Sequence, residues 1–140
     1  MHITRNLKAL GASALAAAFL VTGVGTAQAA SNHAISGTVY SPCSSAGWAW
    51  YNSSTARYKE GTGAMKVIFS DLNKGGLNFK SRDASNLTIG NVVSFAYSET
   101  DIWRTQASSV ANGRKFYNSF KQVSSACNQK DYNFSGTQSY

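Results

Sequence analysis

Catalytic side chains are scarce in this sequence. Of its two histidines, His2 lies in the N-terminal leader, which leaves His33 alone in the remainder. A Ser-His-Asp arrangement needs a histidine held on a rigid scaffold. His33 stands three residues from the expected mature terminus, where chains fray. The six acids, Glu60, Asp71, Asp83, Glu99, Asp101 and Asp131, all fall at predicted turns or strand ends. Solvated carboxylates are common there, and Glu60 with His33 makes only a weak acid–base pair for a small nuclease. With one mature histidine and no CxxC or HxxxH spacing, a zinc centre has no ligand set. The expectation is a protein that is not an enzyme and holds neither metal nor cofactor.

Cysteine and proline are also rare. Pro42 is the only proline, and Cys43 and Cys127 are the only cysteines. Whether the two cysteines pair depends on the compartment, which the leader addresses. Arg5 and Lys8 precede the apolar run ALGASALAAAFLVTGVGTA, and Ala27-Gln28-Ala29 then supplies the small-x-small pattern of signal peptidase. Residues 1–29 therefore read as a secretory signal peptide and 30–140 as a single mature domain, secreted and extracellular. No transmembrane anchor is expected, because the run is interrupted by glycine and followed directly by the cleavage pattern. In an oxidising compartment Cys43 and Cys127 are expected to form one disulfide. The closed loop of about 85 residues gives at most about 4–5 kcal/mol in the chain-entropy model.

What is present is turn chemistry every eight to twelve residues, with alternating residues between. The runs at 34–41, 46–54, 56–61, 64–71, 76–83, 92–99, 101–108 and 113–125, with a last one around Tyr132 and Phe134, read as strands. Met65, Val67 and Phe69 share one face of their run, Leu77 and Phe79 another, and Val93, Phe95 and Tyr97 a third. Asn73-Lys74-Gly75-Gly76 reads as a hairpin turn. About eight short strands and no convincing long amphipathic helix predict a small antiparallel β-sandwich with one disulfide, a small β-barrel being the alternative.

Trp48 and Trp50 point the same way if WAWY is a strand. Beside a cysteine they read first as core. As an exposed stacking platform they would need an aromatic neighbour, with Trp103, Tyr58 and Tyr97 as candidates. Trp48, Trp50, Trp103 and the adjacent Arg104 are the candidate binding residues. Eleven Lys and Arg against six acids leave the mature part at +5, a charge that favours anionic partners. The cations are scattered, with no run longer than two. KFYNSFK (115–121) is the nearest thing to a basic stripe interleaved with rings, but an ordinary half-buried strand has the same pattern, so no nucleic-acid partner is expected.

The stretch GLNFKSRDASNLTIGNVVSFAYSETDIWRTQASSVANGRKFYNSFKQ (76–122) is similar in layout to small exported single-disulfide β-sandwich proteins of actinobacteria. The shared features are a strand ending in a charged RD turn, a short IG element, a further strand, a polar turn and VANGRKFY, and the likeness extends over about residues 35–130. Within that group the chain resembles the small adaptor subunits of secreted umbrella toxin particles. The resemblance implies a protein without activity of its own, joining a large repeat-bearing toxin subunit to a surface-recognition subunit. No partner-contacting position can be matched residue by residue. The expected function is a secreted, non-enzymatic module that binds another secreted protein, as an adaptor in a bacterial antagonism complex. A self-sufficient toxin or protease-inhibitor-like protein is one alternative. A module that binds a cell-envelope glycan is the other.

Overall fold

The computed structural model describes residues 30–41, 43, 49–72, 75–123 and 130–140. Among them there is no helix. Nine strands form two antiparallel sheets: β1 (Asn32–Val39), β2 (Tyr51–Asn52), β3 (Arg57–Tyr58), β4 (Met65–Asp71), β5 (Leu77–Arg82), β6 (Thr88–Phe95), β7 (Arg104–Ala107), β8 (Lys115–Gln122) and β9 (Tyr132–Ser139). Sheet I has the order β1-β9-β4-β7 and sheet II the order β2-β8-β5-β6, with β3 also paired to β8. The architecture is a β-sandwich, as the alternation predicts.

The alternation works because each strand has one face on the core and one in water. In β4 the inward Met65, Val67 and Phe69 are fully buried while Lys66 and Ser70 are exposed. In β5, Leu77, Phe79 and Ser81 are buried between half-exposed neighbours. Phe69 lies edge-on to Phe95 at 4.9 Å, to Phe134 at 5.6 Å and to Phe79 at 5.9 Å, so one ring from sheet I meets rings of both sheets. Such geometry adds about 0.5–1.5 kcal/mol per pair beyond the area it buries.

A polar seam crosses this core. Ser81, Gln106, Asn118 and Gln138 are each at most 2% exposed and come from β5, β7, β8 and β9. Asn118 Nδ2 donates to Gln138 Oε1 at 2.7 Å, and Gln138 Nε2 donates to Ser81 Oγ at 3.2 Å and to Gln106 Oε1 at 3.3 Å. The Ser81 hydroxyl has Gln106 Oε1 and Asn118 Oδ1 both at 3.1 Å. The four groups satisfy one another across the two sheets, as buried polar groups must. They divide the apolar interior into a large cluster around Phe69 and a smaller one around Phe116, Met65 and Tyr140.

Several expectations need correction. Asn73 and Lys74 lie outside the described residues, but the strands flanking them are not a hairpin: β4 belongs to sheet I and β5 to sheet II. The chain crosses the sandwich there, and buried Leu72 and Gly75 cover the end of the core. The run at 92–99 is the end of a longer β6 that starts at Thr88 and stops at Phe95, so Tyr97 is 68% exposed rather than inward. The run at 46–54 contributes only Tyr51 and Asn52 as strand, with residues 44–48 outside the described residues. His33 is not a frayed residue, since it sits in β1, stacked on Tyr140 at 4.2 Å and 3.3 Å from Glu60.

On the far side of the sandwich β6 presses against β7. A Cβ on Gly90 would stand 2.3 Å from the Gln106 carbonyl oxygen, and its φ of 74° lies in the left-handed region. Only glycine serves there. The contact sets the start of β6 close against β7.

Candidate functional site

The segment 96–103 carries the chain from β6 in sheet II to β7 in sheet I. It is tied down at several points. Glu99 N–H donates to the Ala96 carbonyl at 2.9 Å, while Ala96 N–H donates to Glu99 Oε2 at 2.8 Å. Arg104 Nη2 reaches Glu99 Oε1 at 2.7 Å, and its guanidinium lies 5.0 Å over the Phe95 ring. Asp101 takes a left-handed φ of 62°, and its N–H donates to the Phe69 carbonyl at 2.8 Å. The Ala96 N–H, with Arg104 beside it, holds the Glu99 carboxyl below the usual carboxylate range. It is ionised at neutral pH and already engaged on two partners.

Beside the exposed Ser98 and Asp101, the loop displays three large apolar side chains. Tyr97, Ile102 and Trp103 are 68%, 46% and 45% exposed. Trp103 walls a shallow depression of about 290 Å³ on the outer face of sheet I, shared with Asn32, Lys66 and Ser139. Register explains the grouping, because Ser139 pairs with both Asn32 and Lys66, placing the three in one row across β1, β9 and β4. A second concavity of about 250 Å³ runs between β1 and β2–β3, with Ser36, Ser53, Thr55 and Arg57 on its walls. Its one cation is already engaged, Arg57 Nη1 donating to Tyr140 Oη at 3.0 Å and Nη2 to the Ala34 carbonyl.

Of the four binding candidates, Trp103 and Arg104 meet in this loop, one as a displayed ring and the other as its brace. Trp50 is elsewhere. It is half-buried on the outer face of sheet II, with Lys80 Nζ 4.5 Å over its ring, so it neither joins the core nor shares a platform with Trp103. Among the described residues the large core cluster has Phe69, Phe79, Phe95, Phe120 and Phe134 as its rings together with Tyr132, and Trp50 is not part of it. Trp48 and Cys127 lie outside the described residues, and with Cys127 so does the expected disulfide. Cys43 is exposed. Sequence reasoning missed Ile102, Lys66 and the bracing role of Glu99. The Glu99/Arg104 spacing was the one available signal.

No protein-family model matches the chain, and no curated protein and no solved structure matches it either.

Proposed function

We propose that the mature chain is a secreted, non-enzymatic protein-binding module, working as an adaptor subunit of an extracellular bacterial toxin complex, with the 96–104 loop as its contact surface. The observation that carries this reading is the bracing of that loop. Three apolar side chains stand in water on a segment held by Glu99, Arg104 and the Phe69 carbonyl. Exposing them costs solvation. Holding them rigid removes much of the ordering entropy a partner would otherwise have to offset. Displayed Trp and Tyr with an adjacent Arg is the side-chain set that dominates protein interfaces.

The reading includes export by the leader and a Cys43–Cys127 bridge. The β1–β9 ladder supports the bridge, because Val39 faces Tyr132 and Ser41 N–H donates to the Asp131 carboxylate. In sequence, Cys43 stands two residues beyond that contact and Cys127 four residues before it.

The test is capture from culture medium by tagged residues 30–140, comparing the wild type with a Tyr97→Ala/Trp103→Ala double variant of unchanged thermal midpoint. A stoichiometric secreted partner should bind the wild type and be lost from the variant. A hot-spot residue is worth about 2 kcal/mol or more, about thirtyfold in affinity. A wild type that elutes alone, or a variant that keeps its partner, would sink the proposal.

A further inference from the structure

The outer face of sheet II carries charge of one sign. Lys80 and Arg82 project from β5, opposite inward Phe79 and Ser81, while Lys115, Tyr117 and Lys121 project from β8, opposite inward Phe116, Asn118 and Phe120. Register sets Arg82 directly across from Tyr117 and Lys80 across from Ser119. Charges that are scattered along the sequence are thus gathered on one surface.

No acid comes with them. Glu60 sits by His33, and Asp71 ends β4 in the other sheet. Asp83 lies in the turn after β5 and accepts from Ser85 N–H and Leu87 N–H. Glu99 and Asp101 belong to the 96–103 loop, and Asp131 accepts from Ser41 N–H.

Two of the aromatic rings on this face, Trp50 and Tyr117, are already covered, while Tyr58, register-paired with Lys115, stays 53% exposed. Lys80 lies 4.5 Å over Trp50, while Arg82 at 4.9 Å and Lys115 at 5.6 Å both attend Tyr117. Arg82 is further fixed by Ser119 Oγ at 3.1 Å and the Ser53 carbonyl at 3.2 Å. At Trp50 and Tyr117 a nucleobase could stack only by displacing a cation, which leaves the single ring of Tyr58 at the edge of the face. An occupant that supplies spaced anions and hydroxyls, and needs no ring face, would use the surface as it stands. Alternate residues on a strand are about 7 Å apart and neighbouring strands about 4.8 Å, so Lys80, Arg82 and Lys115 form a small grid that adjacent charged units of a linear polymer can bridge.

We propose that this face binds an acidic polysaccharide, its anionic groups seated among Lys80, Arg82 and Lys115. It is a second surface, independent of the protein-binding loop, and the charge complementarity carries it.

The experiment is calorimetric titration of residues 30–140 with polygalacturonate, neutral dextran and a thymidine oligonucleotide of matched charge. Polygalacturonate should bind and weaken by about tenfold or more between about 50 and 500 mM salt, as exposed charge contacts do. Lys80→Gln/Lys115→Gln should lose about tenfold, while Arg114→Gln/Lys130→Gln, with the same charge loss off this face, should change binding less than about threefold. Thermal midpoints of both doubles confirm the fold. Equal loss in the two doubles would reduce the effect to net charge and overturn the proposal, as would equal binding of dextran or no binding at low salt. Tighter binding of the oligonucleotide would overturn it in favour of nucleic acid. Tyr97→Ala/Trp103→Ala should bind polygalacturonate like the wild type, which keeps a failure here distinct from a failure of the adaptor reading.

Discussion

Gln138→Leu tests whether the polar seam locks the two sheets together. The side chain is fully buried and makes three contacts: it accepts from Asn118 Nδ2 and donates to Ser81 Oγ and Gln106 Oε1. Leucine has nearly the same volume, so no large cavity opens. The cost is the stranded Asn118 amide, about 1–3 kcal/mol for a buried donor without an acceptor, plus the two lost donations at about 1 kcal/mol each. Burying extra apolar surface returns about 1 kcal/mol, leaving a net loss of about 2–4 kcal/mol. For a domain of this size that lowers the thermal midpoint by about 10 °C, within the roughly 5–15 kcal/mol a domain possesses. Urea unfolding measures it directly, with an unchanged m-value marking a true stability change. The decisive comparison is the double variant Asn118→Leu/Gln138→Leu. Removing donor and acceptor together leaves nothing stranded between them, and Ser81 can still donate to Gln106 Oε1. The double variant should therefore cost about 1–2 kcal/mol less than the sum of the singles. A loss under about 1 kcal/mol for Gln138→Leu, or strict additivity in the double, would refute the argument that the seam acts as one unit.

Acid should release the displayed loop. The Glu99 carboxyl is held below its ordinary value of 4.5 by the Ala96 N–H and Arg104, so its bracing is fully present above about pH 4.5 and is lost as pH falls through the lowered value. The Ala96 amide resonance should titrate with a midpoint below 4.5, and in Glu99→Gln that transition should vanish. A midpoint at or above 4.5 would contradict the bracing. Denatured, non-reduced protein spanning residues 30–140 should show no titratable thiol, and reduction should lower stability by up to about 4–5 kcal/mol. Two free thiols would dispose of the proposed bridge.

Period-2 patterning made the inward faces of β4, β5 and β8 legible because each strand is half-buried, and burial of alternate residues leaves its mark directly in composition. Patterning does not say which sheet a strand joins. The glycines at 75 and 76 mark a reversal equally well whether the next strand pairs with the last one or crosses to the opposite sheet, as β5 does. Tyr97 misled for a related reason. Its spacing from Phe95 fits a strand, but β6 ends once Glu99 closes the turn on Ala96, and that closure requires a side chain the pattern treats as merely polar. Gln138 and Ser81 likewise read as ordinary polar residues, because their burial is tolerable only when all four members of the seam meet, and they meet only after both sheets are assembled.

The site had the least sequence signal, since it is made by register. Trp50 and Trp103 differ in no way that spacing could reveal. In the fold, Lys80 covers one ring on the outer face of sheet II, while the other lines a depression with Asn32, Lys66 and Ser139 on the outer face of sheet I. Two packed sheets lie about 10 Å apart, so the two surfaces look in opposite directions across the core. A single partner docking flat on one cannot reach the other. An adaptor that joins one body to another, as proposed, would use both faces. On the proposed reading, saturating polygalacturonate should leave the affinity for the protein partner unchanged, and a ternary complex should form. Mutual exclusion of the two ligands would mean that they share a surface, and the adaptor geometry would fail even if each ligand bound by itself.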